Sequence, residues 1–117
     1  LRSGVDRAEA QQRIRVEQYR AAIRQAFREV SDALVALEQL GVQREASSRV
    51  VKANTERLRV TRARFLSGIT SYFEVLDAER QLFDSEIALS QVTRDHHQAV
   101  VQLYLALGGG WRAGPQG

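Results

Sequence analysis

Few residues in this chain have the types and spacing for chemistry. His96 and His97 are the only histidines, and Asp95 precedes them. On a helix, adjacent side chains point about 100° apart, so the pair makes a poor chelate. The reading is a surface or interface histidine pair, with no bound metal. There is no cysteine, which removes disulfides, thiolate metal sites and thiol nucleophiles. No Ser/His/Asp set, phosphate loop or paired acid and base in a pocket can be assembled, and two helices offer little concavity. The chain reads as non-enzymatic, with no cofactor.

Charge is the next candidate. Residues 1–66 carry 14 Arg and Lys against 8 Asp and Glu, a net +6; residues 67–117 carry 3 against 6, a net −3. A basic arm folded on an acidic arm is partly neutralised. The arginines are interleaved with glutamates and no nucleic-acid-binding motif accompanies them, so nucleic acid is not an expected partner. Arg57, Arg59, Arg62 and Arg64 are expected at the level of Glu74, Asp77, Glu79 and Asp84, favouring antiparallel pairing near the turn.

The elements that hold these residues are helical. Between Val5 and Leu107 there is no proline, and the only glycines are Gly41 and Gly68. No apolar run approaches the roughly 20 residues of a membrane-spanning helix. The fold expected is all-α: a long antiparallel, coiled-coil-like hairpin in one fragment. Its first helix runs over about 5–66, its tip over 67–71 and its returning helix over about 72–107. Residues 108–117 form a disordered tail. Ser3 with Asp6 is the expected helix start. Ile23, Phe27, Val30, Leu34 and Leu37 step as a seam that degrades at Gly41, Arg44 and Ser48 and recovers near Val51, Leu58 and Phe65. Gly41 is read as tolerated within the helix at about 1 kcal/mol. Gly108-Gly109-Gly110 is the expected C-terminal stop of the second helix.

The second arm carries two apolar rows. One is Val75, Leu82, Leu89, Val100, Leu103 and Leu107; the other is Tyr72, Leu76, Phe83, Ile87, Val101 and Tyr104. A helix apolar on two flanks has two neighbours, as in a bundle or a helix-walled barrel. Folding at Gly68 sets Val51 near Ile87, Leu37 near Val101 and Leu34 near Tyr104. The first arm then spans roughly 90 Å and the second roughly 55 Å at 1.5 Å per residue. About two dozen N-terminal residues, including Ile14, Tyr19, Ile23 and Phe27, therefore lack a partner in this chain. Self-association is expected from that overhang, and the chain, which opens on Leu1, reads as a piece of a longer protein.

The tip, Ser67-Gly68-Ile69-Thr70-Ser71, reads on its own as a helix–helix connection. Gly68 supplies a left-handed conformation, and Ser71 with Glu74 fits a capping box. Glu74 and Asp77 read as acids complementing a helix N-terminus. The surrounding stretch from Arg64 to Arg80, with Ser71-Tyr72 and Leu76-Asp77-Ala78-Glu79-Arg80, resembles the tip motif of the outer-membrane efflux proteins, the TolC and OprM family. The block Gln25-Ala26-Phe27-Arg28-Glu29-Val30-Ser31-Asp32-Ala33-Leu34 and the block Leu103-Tyr104-Leu105-Ala106-Leu107-Gly108-Gly109-Gly110-Trp111 are similar to two others in the same family, in its order and spacing.

The resemblance implies a segment of the periplasmic α-helical tunnel of a trimeric channel in a Gram-negative outer membrane. It implies a tripartite export pump, with Ser67, Gly68, Ile69 and Thr70 contacting a periplasmic adaptor protein and, indirectly, an inner-membrane pump. It places Glu74 and Asp77 at the tunnel constriction, where a ring of carboxylates favours cations. The tyrosine and arginine that help latch TolC are matched here by Phe65 and Thr70, so that latch is not expected. The competing reading is a generic helical-hairpin scaffold or an adaptor's own coiled-coil module.

Overall fold

The computed structural model describes residues 1–112, with side chains through residue 108. It holds two helices, α1 over Arg2–Leu66 and α2 over Tyr72–Arg112, packed side by side. The particle measures 99 × 26 × 16 Å. A straight helix of 65 residues is about 97 Å long, so α1 runs the full length of the molecule without a sharp bend, through Gly41. No helix among the described residues is long and apolar enough to cross a membrane.

The packing seam alternates steps of three and four residues on both helices. On α2 it consists of Val75, Ala78, Leu82, Ser85, Leu89, Val92, His96, Ala99, Leu103 and Ala106, all at least partly shielded. On α1 it consists of Val30, Ala33, Leu37, Leu40, Ser47, Val51, Asn54, Leu58 and Thr61, with exposed Arg44 interrupting. That is a heptad seam, in which a period of 3.5 keeps one face on the partner. Many of its members are small or polar. The dense point is Leu58, Val75 and Ala78, with Leu82 packed against them.

The larger apolar side chains mostly face away. Tyr72, Leu76, Phe83, Ile87, Val101 and Tyr104, the second row expected on α2, are all exposed. So are Val100 and Leu107 of the first row, and Ile23, Phe27 and Leu34 of the expected α1 seam. Val30 and Leu37 do face α2. Leu34 and Tyr104 point outward, because between Val30 and Leu37 the seam passes through Ala33 rather than Leu34. Small residues let the backbones approach, and the wide side chains are displaced to the flanks. Every residue from 1 to 29 is exposed, as the unequal arm lengths require.

The helix ends differ from expectation. Helix α1 starts at Arg2, with Leu1 as its cap and no side-chain cap bond. The Val5 N–H reaches the Leu1 carbonyl at 3.3 Å, so Ser3 lies inside the first turn. Helix α2 passes Leu107 and continues through the glycine triplet to Arg112. Glycine permits a left-handed stop without demanding one, and Gly68 is the one glycine at positive φ among the described residues. The expected tail beyond residue 112 lies outside the described residues.

Candidate functional site at the hairpin tip

The tip is a backbone-built turn. The Gly68 N–H donates to the Phe65 carbonyl and the Ile69 N–H to the Arg64 carbonyl, both at 2.9 Å. With Gly68 at φ +78°, these are the two bonds of a Schellman motif, which ends a helix by satisfying its last carbonyls. The Ser67 hydroxyl and N–H both donate to the Ala63 carbonyl, at 3.0 and 3.1 Å. An ideal Cβ on Gly68 would meet nothing within 4 Å. Glycine is needed there for its conformation, not for space.

The chain then re-enters a helix. The Thr70 hydroxyl donates to the Ser71 carbonyl at 3.1 Å, and the Glu74 N–H donates to the same carbonyl at 3.1 Å. The start is thus closed by backbone rather than by the Ser71–Glu74 side-chain box. Across the turn, the Phe65 and Tyr72 rings lie 5.2 Å apart and tilted by 56°, a favourable aromatic geometry. Phe65 therefore serves as the clasp of its own turn.

Among the four expected tip residues, Ser67, Gly68 and Ile69 are exposed and Thr70 is half-buried. Ile69 (68% exposed) is joined in exposure by Leu66 (83%) and Phe73 (78%). Leu66 and Phe73 are not among the site residues read from the sequence. The signal was their position: both lie where neither helix has a neighbour to cover them.

Glu74 and Asp77 lie one turn apart on α2, in unlike settings. Glu74 is exposed in the first turn, where a carboxylate complements the helix dipole. It makes no ion pair among the described residues. Asp77 is fastened by Arg80 at 3.1 Å and by the Gln81 amide at 3.1 Å. The Gln81 amide oxygen in turn accepts a bond from Arg57 of α1, and Arg80 also reaches Asp84 at 3.6 Å. Asp77 is thus one member of a network that crosses the hairpin.

The arginines near the tip divide: Arg57 and Arg62 reach across the hairpin, while Arg59 and Arg80 pair within their own helices. Among the described residues, only Arg62 on α1 bridges to an acid on α2, meeting Glu79 at 2.9 Å. Arg59 turns instead to Glu56, with nitrogen–oxygen distances of 2.5 and 3.0 Å. The hydrogen bond from that guanidinium, and then its charge, hold the Glu56 carboxyl below its ordinary range and raise Arg59. The reason is distance along the helix: partners three residues away need no second helix to be placed correctly.

Of the histidines, His96 lies in the seam and His97 is exposed. Their rings are 6.3 Å apart. Among the described residues no group of three or more His, Asp or Glu side chains is placed to hold a metal ion.

The Outer membrane efflux protein family model matches residues 1–109. The chain is 41% identical, over 95% of its length, to the solvent efflux pump outer membrane protein SrpC of Pseudomonas putida. It is 37% identical over 97% of its length to outer membrane protein OprJ of Pseudomonas aeruginosa, and 37% over 94% to the cation efflux system protein CusC of Escherichia coli O157:H7. It spans about a quarter of each of these relatives, 24% of their length. No solved structure gives a significant match. With the family model spanning residues 1–109 of a helical hairpin, and relatives such as SrpC aligned over 95% of its length, the chain belongs to the outer membrane efflux proteins.

Proposed function

We propose that this hairpin is a wall segment of the periplasmic tunnel of a trimeric outer-membrane efflux channel, and that its tip both meets a periplasmic adaptor and forms the inner gate. The observation that carries the reading is the outward row Tyr72, Leu76, Phe83, Ile87, Val101 and Tyr104, together with the uncovered residues 1–29. Apolar surface of that extent on two flanks calls for neighbouring helices. A free-standing scaffold has no use for it.

Ser67, Gly68, Ile69 and Thr70 are the adaptor contacts in this reading, on a turn whose backbone bonds hold it in shape before any partner arrives. Glu74 and Asp77 lie just inside. Threefold repetition would set carboxylates around the constriction, favouring cations over anions. Glu74, unpaired in the hairpin, contributes most of that field; Asp77 is offset by Arg80. Adaptor and channel would pass cargo from an inner-membrane pump. The relatives carry names for solvent and cation efflux, and both cargo classes are compatible with a wall that selects little.

The deciding experiment is a photo-cross-linker at position 68 or 70 of the full-length protein in cells. Capture of the periplasmic adaptor from those positions, and not from position 35 on the helix wall, is expected. Capture independent of position would remove the tip assignment. Charge reversal at Glu74 should then lower cation selectivity more than reversal at Asp77, measured as single-channel reversal potential.

A further inference from the structure

Gln81 lies half-buried on α2, one turn beyond Asp77, and is held from three sides. Its amide nitrogen donates to the Asp77 Oδ2 at 3.1 Å. Its amide oxygen accepts a bond from the Arg57 guanidinium of α1. Its backbone carbonyl accepts one from the Asn54 amide, also of α1, at 3.4 Å.

The chemistry leaves that side chain one way to point. A guanidinium only donates, and an ionised carboxylate only accepts. The oxygen of Gln81 therefore belongs on Arg57 and its nitrogen on Asp77. A carboxylate at this position would take Arg57 but repel Asp77, and an ammonium would serve Asp77 but repel Arg57. A carboxamide of this length joins a donor on α1 to an acceptor on α2 without adding charge.

Asp77 has a second tether, because Arg80 donates to its other carboxylate oxygen at 3.1 Å. The two tethers are unlike. Arg80 is exposed, lies on the same helix as Asp77 and is shared with Asp84 at 3.6 Å, and a long exposed side chain holds a partner weakly. Gln81 is anchored from the opposite helix by two donors. It fixes where the Asp77 charge lies, and Arg80 follows. Glu74, one turn nearer the tip, is exposed and makes no ion pair among the described residues.

We infer that Gln81 is a positioning residue for Asp77: it holds the carboxylate back against the hairpin and so weakens the field of that acid in the tunnel. The inference rests on Asp77 standing at the constriction, as proposed above. The tip then carries one acid that acts at full strength, Glu74, and one that a neutral neighbour restrains.

Reversal potentials of the full-length protein in planar bilayers under a potassium chloride gradient test it. Four proteins are compared: the unsubstituted chain, Asp77→Asn, Gln81→Met and the double variant. Methionine keeps the length and volume of glutamine but offers no N–H. Asp77→Asn should lower the ratio of potassium to chloride permeability. Gln81→Met should raise it about twofold by releasing the carboxylate, and should leave it unchanged when Asp77 is already Asn. A residue that only splints the helices would act alike in both backgrounds. No effect of Asp77→Asn would remove the constriction placement and this inference with it. A ratio that Asp77→Asn lowers but Gln81→Met fails to raise, or raises equally in both backgrounds, would overturn the role of Gln81 alone.

Discussion

Between residues 54 and 82 the two helices are joined by a buried apolar cluster, two bonds onto Gln81 and the Arg62–Glu79 bridge. Toward the open end, where Val30 to Leu40 meet Val92 to Ala106, they touch through buried Val92 and Ala99 and half-buried neighbours such as Leu37, Leu40 and Leu103, with no side-chain hydrogen bond or ion pair between the helices among the described residues. The same 3.5-residue period runs through both regions, so periodicity does not make the difference. What differs is the set of cross-helix polar bonds around Gln81 and Glu79, which the tip region has and the open end, among the described residues, lacks. The tip region is held by its own contacts. The open end has its larger side chains on the flanks, where neighbours of the chain would supply the missing burial.

The sharpest way to break this comparison is to truncate a large side chain in each region. Leu58→Ala should destabilise the hairpin by about 2–4 kcal/mol, because a buried leucine leaves a cavity between helices. Leu34→Ala, half-exposed, should cost well under about 1 kcal/mol in the isolated chain. Thermal unfolding followed by circular dichroism measures both. Similar losses would mean that the two regions are equally packed after all.

At the turn, Gly68→Ala should cost about 1–2 kcal/mol, the penalty of a left-handed conformation for a residue with a Cβ. Gly68→Asn should recover part of it. Because a Cβ there meets open space, no larger loss is expected, and one would show that the turn is crowded by something outside the hairpin.

Gly41→Ala should move the other way. Its φ is not positive, and a Cβ built there would lie 3.8 Å from the His96 Nε2, an ordinary contact. Helix propensity and a less flexible unfolded chain should therefore raise stability by about 0.5–1 kcal/mol. Urea midpoints of the two proteins decide it; destabilisation would show that His96 needs the space. Arg62→Ala, removing the one ion pair that spans the helices among the described residues, should cost less than about 1 kcal/mol since both partners are substantially exposed. The loss should shrink in high salt.

The smallest effect is at Glu56. Its carboxyl is lowered by the bond from Arg59, so any contribution is present above the ordinary glutamate range and lost as pH falls through the lowered value. Carboxyl chemical shifts should show Glu56 titrating below the ordinary glutamate range and returning to it in Arg59→Gln. Unaltered titration would mean that the pair is not formed in solution.

Much of this was legible in the residues. The absence of proline and the single glycine at the turn required two long helices, and the unequal distances from Gly68 to the two ends required an overhang. The tip motif named the family. The seam was harder to read. Leu34 and Phe27 look like knobs because they are large; the structure passes over Leu34 for Ala33, and Phe27 lies on the uncovered overhang. Periodicity fixes how often a face recurs, but its orientation depends on which side chains let two backbones come close. Ion pairing was legible in part: Arg62 meets Glu79 across the hairpin as expected, whereas Arg59 takes Glu56 on its own helix, where proximity along the chain wins.

By itself, the sequence determined the helices, their register and the site of the turn, because proline exclusion, glycine freedom and chain length act locally. Only the tertiary structure decided which stripe of each helix is the seam, which acid near the tip is left unpaired, and that Gly41 is required by neither shape nor space. Those outcomes depend on competition among side chains distant in sequence, and only packing settles such a competition.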